Sequence, residues 1–259
     1  MQRLGLIGGT GLERFGEAVR SHDIDGPYGQ PSARPAEYHI GQLQVFFIPR
    51  HGVQHETPPH AVNYRANIDA FRQLGVRGII AVNAVGGITA PYQPGTLSLP
   101  DQLIDYTWGR EHTFSMTSAD ELEHVEFSAP FDGPLRSGLA RAAAGAGIDV
   151  TDGGCVGVSQ GPRLETAAEI NKFKQDGCDM VGMTTMPEAG LAREAGLDYA
   201  SLCIIANWGA GLEKEPVTMP AIEATLALAL IEFSNLLGQF FVEFSNVHCN
   251  PFPPHAGPP

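Results

Sequence analysis

The residues able to do chemistry sit in short segments, most of them rich in glycine or other small residues. Gly8-Gly9-Thr10-Gly11 is the first. Glycines there let backbone N–H groups approach an anion, and the Thr10 hydroxyl adds a donor; a tight turn without a ligand fits the same tetrapeptide. A dinucleotide fingerprint beginning at Gly9 would need glycine where Arg14 stands, and no Gly-Lys-Ser/Thr follows to make a P-loop. Arg50-His51-Gly52 comes directly after Pro49, with His55 close behind. A guanidinium offers phosphate a planar fork of donors, and His51 could donate to the same anion; a surface arginine beside a loop histidine is the plainer alternative.

Val82-Asn83-Ala84-Val85-Gly86-Gly87 ends an apolar run with small residues, which either line a ligand crevice or make a simple turn. In Ser159-Gln160-Gly161-Pro162-Arg163-Leu164-Glu165-Thr166, Glu165 precedes a helix N-cap. A carboxylate there either favours the helix dipole or accepts from a ligand N–H. Met183-Thr184-Thr185-Met186-Pro187-Glu188 also enters a helix, with hydroxyls and free N–H groups suited to an anion. Asn207, within Ala206-Asn207-Trp208-Gly209, falls at a strand end, where one amide both donates and accepts.

These segments need strands and helices to hold them. Apolar runs at 4–7, 45–48, 78–82, 155–158 and 199–205 read as buried strands. Tyr64, Ile68 and Phe71 share a helical face that ends at Gly75. Thr166 with Glu169 makes a capping box for a helix stopping at Gly177, and Thr185 with Glu188 repeats the device up to Gly196. A last helix is expected over 219–237. The alternation predicts an α/β fold: one domain over 1–238, with a mixed central sheet flanked by helices. From 239 to 259 an aromatic run (Phe240-Phe241-Val242-Glu243-Phe244) and a proline-rich end suggest a loosely docked tail.

The 259 residues are 43% hydrophobic and 17% charged, with a formal net charge of −13. So acidic a chain is not expected to bind nucleic acid or an anionic membrane. No apolar run is read as a membrane helix, and the first residues lack the order of a signal peptide. The four cysteines form no C-x-x-C pair, which fits reduced thiols and a cytoplasmic location.

The segments GGTG, PRHG, VNYRANI, VNAVGG, QGPRLET, MTTMPEA and YASLCIIANW also occur in a definite order. In that order and spacing the chain resembles the trimeric purine nucleoside phosphorylase and methylthioadenosine phosphorylase family, from about Leu4 to Thr225. The resemblance implies phosphorolysis of the N-glycosidic bond of a purine nucleoside, with inorganic phosphate as co-substrate and no metal or organic cofactor. It implies a phosphate site of Thr10, Arg50, His51, Ala84 and Thr184, and a nucleoside site that includes Asn83, Val85 and Gly86. The sugar would meet Met183 and His55. His124 resembles the histidine that the family inserts from a neighbouring subunit, which implies a homotrimer with shared sites.

Met219 and Ile222 fall where the family lines its 5′ pocket, and two apolar side chains suit a methylthio group. At the base end, the methylthioadenosine enzymes carry aspartate in place of Asn207 and serine in place of Glu165. The Glu165/Asn207 pair resembles that of the inosine and guanosine enzymes and matches a 6-oxopurine, with Asn207 donating to O6 or N7 and Glu165 accepting from N1–H. The combination implies S-methyl-5′-thioinosine as substrate. Methylthioadenosine, or inosine and guanosine, are the alternatives, and a non-catalytic purine binder is the alternative of another class. Asn83, Leu164 and Trp208 depart from the family pattern: the methylthioadenosine enzymes have threonine in place of Asn83 and a base-stacking phenylalanine in place of Leu164.

Overall fold

The computed structural model describes residues 2–116, 124–215 and 217–246. The chain starts with β1 (Gln2–Gly8), a short β2 (Arg20–Ser21), β3 (Ala36–Ile40) and β4 (Leu43–Pro49), then α1 (Tyr64–Gln73) and β5 (Gly78–Gly87). After β6 (Leu97–Leu99) and β7 (Gln102–Asp105) come α2 (Pro134–Ala146), β8 (Val150–Asp152), β9 (Cys155–Val158) and α3 (Ala167–Gln175). β10 (Met180–Gly182), α4 (Thr185–Glu194), β11 (Asp198–Trp208) and α5 (Met219–Asn246) complete it.

The strands form one mixed sheet, as expected, and its centre is parallel: β4, β1, β5 and β11. These strands are largely apolar because both faces are covered. Successive residues alternate between the two faces. Leu4, Leu6, Ile80 and Val82 join α2 and α5 in one core layer, whereas Ile7, Ile79 and Ala81 join α1 and α4 in the other.

The sheet forks along β5. Its Gly78–Ala81 stretch pairs with β1, and β10 takes over the same edge antiparallel only at Gly86. β11 follows the whole of β5 on the opposite edge. From Val82 to Val85 neither β1 nor β10 pairs with β5, and the β1–loop, β4–loop and β10–α4 turns converge on that gap. Open α/β sheets place ligands at such a switch point.

The capping box at Thr166 forms with both of its hydrogen bonds. The one expected at Thr185 does not. Thr184 occupies the N-cap of α4 without a side-chain cap bond, and Met186 is extended inside the first turn. The Glu188 carboxylate is used elsewhere, as described below.

The last helix overruns its expected end at residue 237 and continues through Asn246. Phe240, Phe241 and Phe244 are buried in the same core layer as Leu226 and Phe233. The loosely docked tail therefore does not begin at 239; burial of the three rings, about 2 kcal/mol or more each, holds the extra turns. Residues 247–259 lie outside the described part. The stretch Met219–Ser245 is long and apolar enough to cross a membrane by length and composition, which corrects the reading that no run qualifies. Its buried stripe packs in the core layer, while Leu228, Ile231 and Val242 of the same helix are exposed.

Candidate active site

A cleft of about 400 Å³ opens at the fork. Thr10, Arg50, His51, Ala84 and Thr184 line it together, which brings the expected phosphate residues into one place. His55 and Met183 lie beside them, and Val85, Gly86, Leu164, Glu165 and Asn207 line the same space. Met219 and Ile222, from the start of α5, close another side. Two expected residues are absent from the lining: Asn83 and His124.

Asn83 is buried behind the wall. Its Oδ1 accepts from the Thr184 hydroxyl at 2.9 Å, and its Nδ2 donates to Ser201 Oγ at 2.8 Å. It orients Thr184 instead of meeting a sugar, because alternate residues of β5 face opposite ways. His124 is exposed and stands outside this cleft.

Arg50 extends from the end of β4 and is 1% exposed. At the cleft's wall, most of its planar fork is already engaged from behind. Nε and Nη2 donate to Glu188 Oε2 and Oε1 at 2.7 and 2.8 Å, and Nη1 donates to the Val82 carbonyl at 2.9 Å. That carbonyl lies on the stretch of β5 beyond its pairing with β1. Glu188 Oε1 also accepts from the Tyr199 hydroxyl at 2.8 Å. Burial alone would lower the arginine's pKa, but the Glu188 charge outweighs it and holds the guanidinium well above its usual range. One N–H on each terminal nitrogen remains for a ligand. Gly9 is required by this arrangement, since a Cβ there would lie 2.5 Å from the Val82 oxygen and 3.0 Å from Arg50 Nη1.

His51 is also committed differently from expectation. Its Nδ1 lies 2.8 Å from the Thr57 carbonyl, which can only accept, so Nδ1 carries the proton. Burial, then the nearby Arg50 charge, push its pKa down to about 4. At neutral pH the ring is uncharged and Nε2 is an acceptor, suited to a protonated oxygen of phosphate or a sugar hydroxyl. The His55 ring packs 4.7 Å from it, on a residue held at φ +57°, and His55 Nδ1 is 3.2 Å from Glu13 Oε1.

At the base end, Asn207 follows a β-bulge between Ile205 and Asn207 in the β5–β11 ladder. A bulge re-aims the side chain after it, and such bulges gather beside active sites. Asn207 Nδ2 donates one N–H to the Trp208 carbonyl at 2.7 Å, leaving its second N–H and Oδ1 for a ligand. A Cβ at Gly86 would come within 3.3 Å of that Nδ2, so glycine keeps room for the amide. Glu165 Oε1 accepts from Ser159 Oγ at 2.5 Å, which fixes the carboxylate and leaves Oε2 available.

The sequence reading missed Glu188 as Arg50's partner, taking it for a helix cap. It also missed Arg110, whose buried side chain joins the carbonyls of Met183 and Gln160. Glu188 lies within the MTTMPEA segment, so a signal existed; Arg110 carried none.

The sequence matches the Phosphorylase superfamily over residues 3–241. The chain belongs to that family. This phosphorylase is 47% identical over 242 residues to the probable S-methyl-5′-thioinosine phosphorylase of Xanthomonas campestris pv. campestris, covering 91% of this chain and 96% of the relative. It is 43% identical over 212 residues to the S-methyl-5′-thioadenosine phosphorylase of Mycolicibacterium smegmatis, covering 81% and 78%. Among solved structures it resembles the Schistosoma mansoni methylthioadenosine phosphorylase in complex with adenine, with a TM-score of 0.89 and 31% identity over 94% of this chain and 92% of that one. The phosphorylase fold thus agrees with the expected nucleoside phosphorylase-like α/β architecture.

Proposed function

We propose that this phosphorylase cleaves S-methyl-5′-thioinosine with inorganic phosphate, giving hypoxanthine and 5-methylthioribose 1-phosphate. One observation carries the reading: Glu165 and Asn207 share a cleft with the apolar pair Met219 and Ile222. A 6-oxopurine presents an N1–H donor to Glu165 and an acceptor, O6 or N7, to the free N–H of Asn207. A 6-aminopurine presents an N1 lone pair to the carboxylate, and its amine could be met only by Asn207 Oδ1. Such mismatches leave buried polar groups unpaired and discriminate by up to about four orders of magnitude.

Catalysis on this reading is positional and electrostatic. Thr10, Arg50, Ala84 and Thr184 hold phosphate beneath C1′, and the neutral His51 accepts from its protonated oxygen. The C1′–N9 bond breaks with its electron pair leaving on the purine, and a phosphate oxygen bonds to the cation-like C1′. Asn207 stabilises the negative charge that collects on the base, which takes up the proton the phosphate gives up and leaves as hypoxanthine. The reaction as proposed uses no metal or organic cofactor, takes place in the cytoplasm and involves neither nucleic acid nor membrane.

The relative from M. smegmatis favours a second reading, methylthioadenosine phosphorolysis. A phosphate-dependent assay of methylthioinosine, methylthioadenosine, inosine and guanosine side by side decides between them. A higher kcat/KM for methylthioadenosine than for methylthioinosine would overturn the first.

We further propose a homotrimer in which His124 serves a neighbouring cleft. Its exposure, outside its own cleft, and the exposed Leu164 and Met219 at the cleft's wall support this. Sedimentation equilibrium giving a monomer mass would refute it.

A further inference from the structure

Arg110 is 8% exposed, and among the described residues its hydrogen bonds run to neutral oxygens. Nη1 donates to the carbonyls of Met183 at 2.8 Å and Met186 at 2.6 Å. Nη2 donates to the Gln160 carbonyl at 2.8 Å, with that of Ser159 at 3.4 Å, and Nε reaches Gln160 Oε1 at 3.2 Å. The Tyr64 ring packs against the guanidinium, 5.6 Å from its centroid, with the hydroxyl 3.3 Å from Nη1. Burial pushes the arginine's pKa down, as expected of a desolvated cation held by dipoles.

The carbonyls it holds belong to two segments that lead into the cleft's lining, one to Glu165 and the other through Met183 to Thr184. β9 and β10 are paired up to Val158 and Gly182, and Ser159 N donates to the Gly182 carbonyl at 2.8 Å. Beyond that point the chains part. One runs through Gln160 to Glu165, and the other through Met183 and Thr184 into α4. Met186 is extended within that turn, so its carbonyl lies outside regular helix and is taken by Arg110. A rigid planar guanidinium presents donors along several edges and can fix the distance between two backbones, which one ammonium nitrogen cannot.

We propose that Arg110 is a positioning residue that sets the separation between the Glu165 loop and the Thr184 turn, and so the alignment of purine with attacking phosphate. This rests on the phosphorolysis reading of the same cleft. Misplacement by about 1 Å costs on the order of 100-fold in rate.

The test uses the full chain and phosphate-dependent release of hypoxanthine from methylthioinosine, with kcat and both KM values measured. Thermal unfolding and size exclusion confirm that each variant is folded. Arg110→Lys keeps the charge and is expected to lose about 100-fold in kcat while each KM moves much less. In Arg110→Ala, added guanidinium ion is expected to restore at least about tenfold of the lost kcat, and ammonium at the same concentration is not. A folded Arg110→Lys enzyme with kcat within about threefold of the unmodified protein overturns the proposal, as does a loss confined to KM. Failure of guanidinium to restore a folded Arg110→Ala enzyme overturns it as well. Absence of phosphate-dependent cleavage in the unmodified protein overturns the functional reading and this inference together.

Discussion

The Arg50 guanidinium and the Glu188 carboxylate meet edge to edge in the interior, Nε to Oε2 at 2.7 Å and Nη2 to Oε1 at 2.8 Å. Both are essentially inaccessible, at 1% and 0% exposure. The cation that faces the cleft in this acidic chain is thus already neutralised from behind. Removing one member of a buried pair leaves the other charged and unmatched, at a cost of about 3–5 kcal/mol. Glu188→Ala is expected to lower the thermal midpoint by about 6–20 °C, as read by calorimetry. Arg50→Lys keeps a charge but not the fork, and is expected to raise KM for phosphate. A phosphate KM matching that of the unmodified protein would remove Arg50 from the phosphate site.

Base choice is separable from the rest. Asn207→Asp combined with Glu165→Ser is expected to move the kcat/KM ratio toward methylthioadenosine by about 100-fold or more. An unchanged preference for methylthioinosine in the side-by-side assay would show that neither residue reads the base.

Asn83 tests whether a residue behind the wall acts through Thr184. In Asn83→Ala, the Ser201 and Thr184 hydroxyls lose their buried partner, an expected loss of about 1–3 kcal/mol in urea unfolding. The phosphate KM is expected to rise about tenfold, equivalent to about 1.4 kcal/mol. The nucleoside KM should stay close to its original value, and an effect on nucleoside alone would contradict the arrangement.

His51 predicts a pH dependence. Its pKa is about 4 in the fold against an ordinary 6.5, so the folded state disfavours the protonated ring. The stabilisation is complete above pH 6.5 and is lost as pH falls toward 4, because the unfolded chain takes up the proton first. The difference corresponds to about 3 kcal/mol. Urea unfolding of the unmodified protein and of His51→Asn across pH 4–7 is the measurement. A slope in that window that survives the substitution would assign it to another group.

The end of α5 is part of the core. Phe240 is 1% exposed, and Phe240→Ala is expected to destabilise by about 3–5 kcal/mol in the same unfolding experiment. A loss below about 1 kcal/mol would restore the reading of a loosely held tail.

By itself, the sequence determined what acts over a few residues. The apolar strands, the Thr166 capping box, the glycine turns and the segments that line the cleft were legible, because periodicity, capping and positive φ are local properties. Tertiary structure decided the pairings. Arg50 meets Glu188 across 138 positions and Asn83 meets Thr184 across 101, and no local pattern encodes either contact. They depend on how β5 leaves β1 and is joined by β10. The same holds for Arg110, an ordinary loop arginine until two diverging strands place their carbonyls around it, and for Phe240, Phe241 and Phe244, whose aromatic run looked like a change of composition until a core layer closed over it. Burial turns a residue's type into a role, and burial is set by topology.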